Sequence, residues 1–212
     1  MRRSTFKQTA LGLGLALAGM GMAMAAPPTP PAPKGQPTAP GLNKLLCFDG
    51  TQEGSPYGGT CVRTSNGAKG PATLTVTNAG LDWAGVYTEE STLYGQTLGE
   101  VRDLSFQYSG SPPGAGAPRF SVPIDSDGDG VTNQYAFISA FYCNNGAGLV
   151  DAIRNPNCTI WMSDGTSYAN WAAMATALPN ARIGADGYYV FVVADEPGVW
   201  TVNNVQFGKT KK

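Results

Sequence analysis

Residues 125–130 read Asp-Ser-Asp-Gly-Asp-Gly, three carboxylates on alternate positions that repel one another unless positive charge sits between them. A hard cation bound through oxygen, calcium first among them, is the chemistry this spacing serves. Asp125, Asp127 and Asp129 would be its ligands, followed by the Val131 carbonyl and the Asn133 amide. Ala136 stands where a bidentate glutamate would complete a twelve-residue loop, so another segment must supply oxygen, and Asp195 and Asp151 are the candidates. The alternative is an acidic hairpin in which the Asp-Gly pairs merely turn the chain. A cation caged by such a loop holds structure together rather than meeting a substrate.

The second group able to do chemistry is aromatic. Trp83, Tyr87 and Tyr94 lie among glycines and polar residues in Gly80-Leu81-Asp82-Trp83-Ala84-Gly85-Val86-Tyr87 and Leu93-Tyr94-Gly95. Exposed rings of this kind stack on the apolar C–H faces of sugars while nearby amides and carboxylates bind hydroxyls; the competing reading places the same rings in a core. Arg119, next to Pro118 in a strand-like run, is either a buried or ligand-facing guanidinium or an ordinary surface arginine. Histidine is absent from all 212 residues, which excludes Ser-His-Asp and Cys-His catalysis, histidine-ligated metals and imidazole acid–base chemistry. No glycine-rich phosphate loop is present either. The one enzymatic route left is carboxylate catalysis of the glycosidase type, through Glu89, Glu90, Glu100, Asp195 or Glu196. Glu89 and Glu90 are adjacent and would point to opposite faces of a strand, so they cannot form the pair alone. The chain is therefore read as a non-catalytic protein.

These groups need a scaffold, and the sequence describes one made of strands. Short β-type runs separated by Gly, Pro, Asn and Asp occur at 45–48, 60–64, 72–77, 85–88, 101–109, 119–124, 134–142, 158–162, 188–194 and 200–207. Leu74-Thr75-Val76-Thr77 and Leu104-Ser105-Phe106-Gln107-Tyr108 alternate as half-buried strands do. Tyr188 to Ala194 is apolar throughout, as a central strand covered on both faces would be. Many short strands joined by tight turns predict an antiparallel sandwich or barrel. One helix interrupts them, over about 168–178, with Ser167 or Thr166 as N-cap and Pro179 after its end, and Trp171 on its core-facing stripe.

Four cysteines, Cys47, Cys61, Cys143 and Cys158, allow three disulfide connectivities. Pairing Cys47 with Cys61 and Cys143 with Cys158 is favoured, each closing a loop of roughly 15 residues. A four-cysteine zinc site would need Cys-x-x-Cys pairs, and these spacings are far wider. Asn157-Cys158-Thr159 is formally a glycosylation sequon.

The Leu104-Ser105-Phe106 strand, the Gly116-Ala117-Pro118-Arg119-Phe120-Ser121-Val122 segment, the acidic loop and the closing run Gly198 to Phe207 with its polar pair Asn203-Asn204 resemble the later strands of jelly-roll carbohydrate-binding modules and related galactose-binding-like domains. The resemblance implies an all-β antiparallel sandwich, jelly-roll-like; the one short helix around Trp171 and the disulfide pair are not part of its common pattern. It further implies glycan binding without catalysis and a structural calcium.

Residues 1–25 carry Arg2, Arg3 and Lys7, an apolar stretch and Ala23-Met24-Ala25, the pattern of a secretory signal peptide. A Pro-rich linker follows over 26–41, then one domain over 42–208 and a basic tail over 209–212. Without Arg2, Arg3 and Lys7, 11 basic residues face 15 acidic ones, a net charge of −4 that disfavours nucleic acid as a partner. No transmembrane segment is expected in the mature chain. Composition, cysteines and leader together predict a secreted, periplasmic or cell-surface binding module, its partner a glycan or cell-envelope polysaccharide. The rival reading is a structural or adhesive surface protein that binds another protein.

Overall fold

The computed structural model describes residues 45–208, apart from 52–57, 65–69, 79–80, 90 and 144–147. The segments expected to be a signal peptide, linker and basic tail lie outside the described residues. In chain order the strands are β1 (Leu46–Thr51), β2 (Thr60–Arg63), β3 (Ala72–Val76), β4 (Asp82–Tyr87), β5 (Leu104–Gly110), β6 (Arg119–Asp125), β7 (Gln134–Ser139), β8 (Leu149–Asp151), β9 (Ile160–Met162), β10 (Ser167–Tyr168), β11 (Arg182–Ile183), β12 (Phe191–Ala194) and β13 (Gly198–Phe207). They form two antiparallel sheets, an eight-stranded one ordered β1-β4-β12-β6-β7-β9-β10 with β11 beside β6, and a five-stranded one ordered β2-β3-β13-β5-β8.

The connectivity is that of a wound hairpin. β6 pairs with β7, then β5 with β8, β4 with β12 and β3 with β13, each pair enclosing the one before. Successive pairs fall alternately in the two sheets, which is the jelly-roll arrangement, open at its edges rather than closed as a barrel. β1, β2, β9, β10 and β11 are additions to that frame.

Alternation places the core between the sheets. Leu74 and Val76 of β3, Phe106 of β5 and Trp200 and Val202 of β13 face Val86 of β4, Phe120, Val122 and Ile124 of β6, Ile138 of β7 and Val192 of β12, all buried. Phe106 and Phe120 meet edge to face at 4.9 Å across the two sheets. Burial of each large side chain stabilises by about 1.5–3 kcal/mol. β12 sits between β4 and β6 and is buried on both faces, as its uninterrupted apolar run predicts.

Both disulfides form, Cys47–Cys61 and Cys143–Cys158. The first joins β1 of one sheet to β2 of the other. The second joins a single helical turn, α1 (Ala140–Cys143), to the approach to β9. That turn ends β7 at Ser139, earlier than the strand expected to run to 142: the Ser139 hydroxyl accepts from the Phe141 amide and the Ala140 amide bonds to the Pro118 carbonyl.

The longer helix, α2, spans Trp171–Ala177 and starts later than the sequence suggests. Tyr168 pairs with Ile160 as part of β10, and Asn170, not Ser167 or Thr166, caps the helix by accepting the Ala173 amide. Trp171 is buried, and its indole N–H donates to the Leu98 carbonyl at 2.9 Å. No helix among the described residues is long and apolar enough to cross a membrane.

Candidate functional site

Two regions carry chemistry: the outward face of the eight-stranded sheet and the acidic loop at its end. Strand register builds the first. Leu46, Tyr87, Phe191, Ser121, Phe137 and Trp161 are successive Cα partners across β1, β4, β12, β6, β7 and β9, so their side chains form one row on the outer side. Phe48, Gly85, Val193, Arg119 and Ser139 form the next row. Tyr87, Tyr135, Phe191 and Val193 pack there as a second apolar cluster, with Leu46, Phe48, Trp83, Phe137 and Tyr189 half-buried around it. Trp161 and Tyr188 are 40% and 39% exposed, and Phe141, beyond the end of β7, 54%.

Glycine leaves room for two of these rings to lie close against the sheet. A Cβ on Gly85 would lie 2.5 Å from the Phe48 ring, and one on Gly50 would lie 2.7 Å from the Trp83 indole. Any larger residue at these two positions lifts the rings off the sheet. Phe48 meets Phe191 edge-on at 5.4 Å, Tyr87 meets Tyr189 at 5.2 Å, and Tyr142 meets Trp161 at 6.0 Å, which carries the aromatic surface past the end of β7.

Beneath Phe137 lies a buried charge pair. The Arg119 guanidinium, 2% exposed, sits 4.5 Å from the Phe137 ring centroid, donates to Ser121 Oγ and forms a 2.6 Å bond to Asp195 Oδ2. Arg119 therefore supports the face from within and is not presented to a ligand.

The sequence expected Trp83, Tyr87, Tyr94 and Arg119 to form a ligand-facing group, and the structure separates them. Trp83 is on the outer face, half-buried. Tyr87 shares that face but is buried under Phe48 and Tyr189. Burial pushes its phenol up, with Glu89 and Tyr189 adding to the effect. Tyr94 belongs to the loop after β4: its hydroxyl donates to the Thr88 carbonyl and accepts the Val190 amide, and burial drives its phenol far above the ordinary range. Flanking polar residues had marked these aromatics. The rings that make the surface, Phe48, Phe137, Trp161, Tyr188 and Tyr189, lie in runs apolar on both strand faces, where alternation gives no direction.

The acidic loop connects β6 to β7. Asp125 is buried, and its carboxylate accepts the amides of Gly128 (2.7 Å), Asp129 (3.1 Å) and Gly130 (2.9 Å). Asp127 accepts the Asp129 amide, Asp129 accepts the Val131 amide, and Asn133 Oδ1 accepts the Ser126 amide. Asp125, Asp127 and Asp129 each offer an oxygen within 4.8 Å of the others. Calcium at 2.3–2.6 Å from its ligands needs those oxygens no more than about 5 Å apart, so the three aspartates fit a shared hard cation.

Asp195 does not complete this loop, which corrects the expectation from sequence. It pairs with Arg119 at the start of β6, whereas Asp125 is at the end, six residues or roughly 20 Å of strand away. Asp151 does not either: it lies on β8 in the other sheet, accepts the Ile153 and Arg154 amides and binds the Arg154 side chain. The segment that borders the loop is 180–186. The Asn180 carbonyl would touch a Cβ on Gly128 at 2.8 Å, and Asp186 accepts the amide and hydroxyl of Thr132. Burial pulls Asp186 upward, but the Thr132 bonds outweigh it and hold the carboxyl below its ordinary value.

Of the other carboxylates considered for catalysis, Glu100 and Glu196 have structural partners. Glu100 accepts the amide and hydroxyl of Thr97, and Glu196 accepts the Gly116 amide. Glu90 lies outside the described residues.

No protein-family model matches this chain, no curated protein is significantly similar to it, and no solved structure matches it.

Proposed function

We propose that the chain is an exported, non-catalytic binding module whose outer eight-stranded face recognises a glycan, with cell-envelope polysaccharide as the leading class, and whose acidic loop holds a structural calcium. The observation that carries this reading is the aromatic outer face, in which the half-buried Phe48, Phe137 and Tyr189 surround the buried Tyr87 and Phe191 and the rings of Trp161 and Tyr188 are exposed. Exposed aromatic rings of this kind stack against sugar rings. The two disulfides suit an oxidising compartment. Asp127, Asp129 and the remaining lone pair of Asp125 would hold the ion, relieving repulsion among three close carboxylates.

A glycan array probed with the protein and with Trp161→Ala tests the binding reading. Hits lost in the variant, with an unchanged melt, support it. An array without hits sinks it and moves the choice to the surface-adhesion reading, which Phe141 favours as an exposed ring with no group to offer a hydroxyl. For the ion, a melting temperature raised by calcium, reversed by EGTA and absent in Asp127→Ala is the expected result. No calcium response would remove the metal from the proposal.

A further inference from the structure

The aromatic face does not have uniform charge around it. Its upper end, where β4 and β6 finish and β7 and β12 begin, gathers the exposed Tyr188 and half-buried Tyr189 beside the buried Tyr135 and Tyr87, with Tyr135 meeting Tyr188 edge-on at 6.2 Å. Carboxylates surround that end. Glu89 is close enough to raise the Tyr87 phenol, and Asp186 to add to the rise that burial causes in Tyr135. Asp164 accepts from the side chain of Gln134, the neighbour of Tyr135 at the start of β7. The acidic loop lies just beyond, and a divalent ion bound by its three aspartates would still leave it one negative charge.

Among the described arginines only Arg182 comes to this rim, as the Cα partner of Asp125. Arg119 is buried and paired with Asp195 at the opposite end of β6. Arg182 donates to the Gly95 carbonyl and lies near Glu100, Arg63 is held by the Leu45 carbonyl, and Arg154 is bound to Asp103 and Asp151. Arg102 turns to the Gly99 carbonyl. The accessible rings of Tyr188 and Tyr189, bordered by carboxylates that outnumber the one described arginine near them, form a surface complementary to positive charge. Ring faces attract a cation through their quadrupoles, and the carboxylates add long-range attraction.

Resting on the glycan-binding reading above, we propose that the polysaccharide bound here is cationic, its sugars carrying free protonated amines, so that ring stacking and amine recognition occur on the same face. A neutral sugar polymer would gain only the stacking, and a uronic-acid polymer would meet repulsion at the rim.

The test is calorimetric titration of the protein, at constant calcium, with a glucosamine oligomer, its fully N-acetylated form, a uronic-acid oligomer and a short polylysine, at a pH where the amines are protonated. The glucosamine oligomer is expected to bind about tenfold tighter than its acetylated form at low salt, from several contacts each worth a few-fold. The advantage should shrink to about twofold in 1 M salt, where screening acts within about 3 Å. Glu89→Gln should weaken the amine oligomer about two- to threefold and leave the acetylated one unchanged. Tyr188→Ala, with the melt verified, should weaken both. Equal or tighter binding of the acetylated form overturns the inference while leaving glycan binding intact. Preference for the uronic-acid oligomer overturns it as well, and polylysine binding as tightly as the glucosamine oligomer overturns its sugar component. No binding to any of the four overturns it outright, and only an empty array would take the glycan reading with it.

Discussion

The outward face of the five-stranded sheet is built from Thr60, Val62, Thr73, Thr75, Ser105, Gln107, Ser109, Leu149, Asp151, Val199, Thr201 and Asn203, while that of the eight-stranded sheet carries Phe48, Trp83, Tyr87, Tyr135, Phe137, Trp161 and Phe191. Both sheets contribute the same kind of apolar inner face to one core. The first is the common outcome for an antiparallel sheet, mostly Thr, Ser, Asn and Gln turned to water with scattered aliphatic Val62, Leu149 and Val199 and no aromatic ring. The second departs from it, burying a charge pair and leaving rings at the surface where solubility would favour Thr and Ser. Core formation accounts for the inner layer only, so the aromatic face requires a separate reason, and binding supplies one.

The largest test of this difference is Asp195→Ala. It leaves the Arg119 guanidinium buried without its counter-charge, and a loss of about 3 kcal/mol in urea unfolding is expected. A cost under about 1 kcal/mol would mean that Arg119 relaxes to water and the two faces differ less than they appear. Replacing Cys143 and Cys158 together by serine removes a clamp that serves the Tyr142–Trp161 end of the aromatic face alone. The chain-entropy model gives about 3 kcal/mol for that loop, and tryptophan fluorescence should shift as Trp161 is freed.

Gly85→Ala places a methyl 2.4 Å from the Val192 carbonyl oxygen and against the Phe48 ring, and should cost about 1–3 kcal/mol. Thr75→Ala on the opposite outer face should stay within about 0.5 kcal/mol by the same unfolding assay. Similar costs for the two would erase the contrast. The smallest effect is electrostatic. The Thr166 amide leads the bonds that hold Asp164 below its ordinary value, and Asp186 is lowered by Thr132 against the pull of burial. Folded values below unfolded ones mean that this stabilisation is present above about pH 4 and is lost as pH falls through the folded values. Both groups are largely solvated, so Asp164→Asn should flatten the acid side of a melting-temperature profile by well under about 1 kcal/mol.

Much of the architecture was legible in residues. Leu74-Thr75-Val76 and Leu104-Ser105-Phe106 alternate and turned the expected way, and the fifteen-residue spacing from Cys143 to Cys158 marked a closed loop. The site was far less legible, for two physical reasons. Tyr135-Ala136-Phe137-Ile138 is apolar on both strand faces, so period-two patterning cannot tell the inward Ile138 from the outward Phe137. The partner of Asp195 depends on β12 lying antiparallel to β6, with Val193 opposite Arg119, a register that no local signal in either strand encodes. The helix start failed for a smaller reason, since Ser167 and Asn170 are both competent caps and β10 claimed the first.

The nested winding of the strands has a kinetic consequence. The innermost pair, β6 with β7, joins neighbours across one loop, whereas the outermost pair sets Ala72 beside Val202. Closing the outer pair early would confine most of the chain for little return, while the acidic-loop hairpin is entropically the cheapest of the four nested pairs. Folding should then proceed from the inside outward on the millisecond-to-second scale typical of non-local β topologies, with β3 and β13 docking last. The first and final strands of the frame would act as its latch, and a chain still waiting for β13 to be synthesised would expose the unpaired edges of β3 and β5.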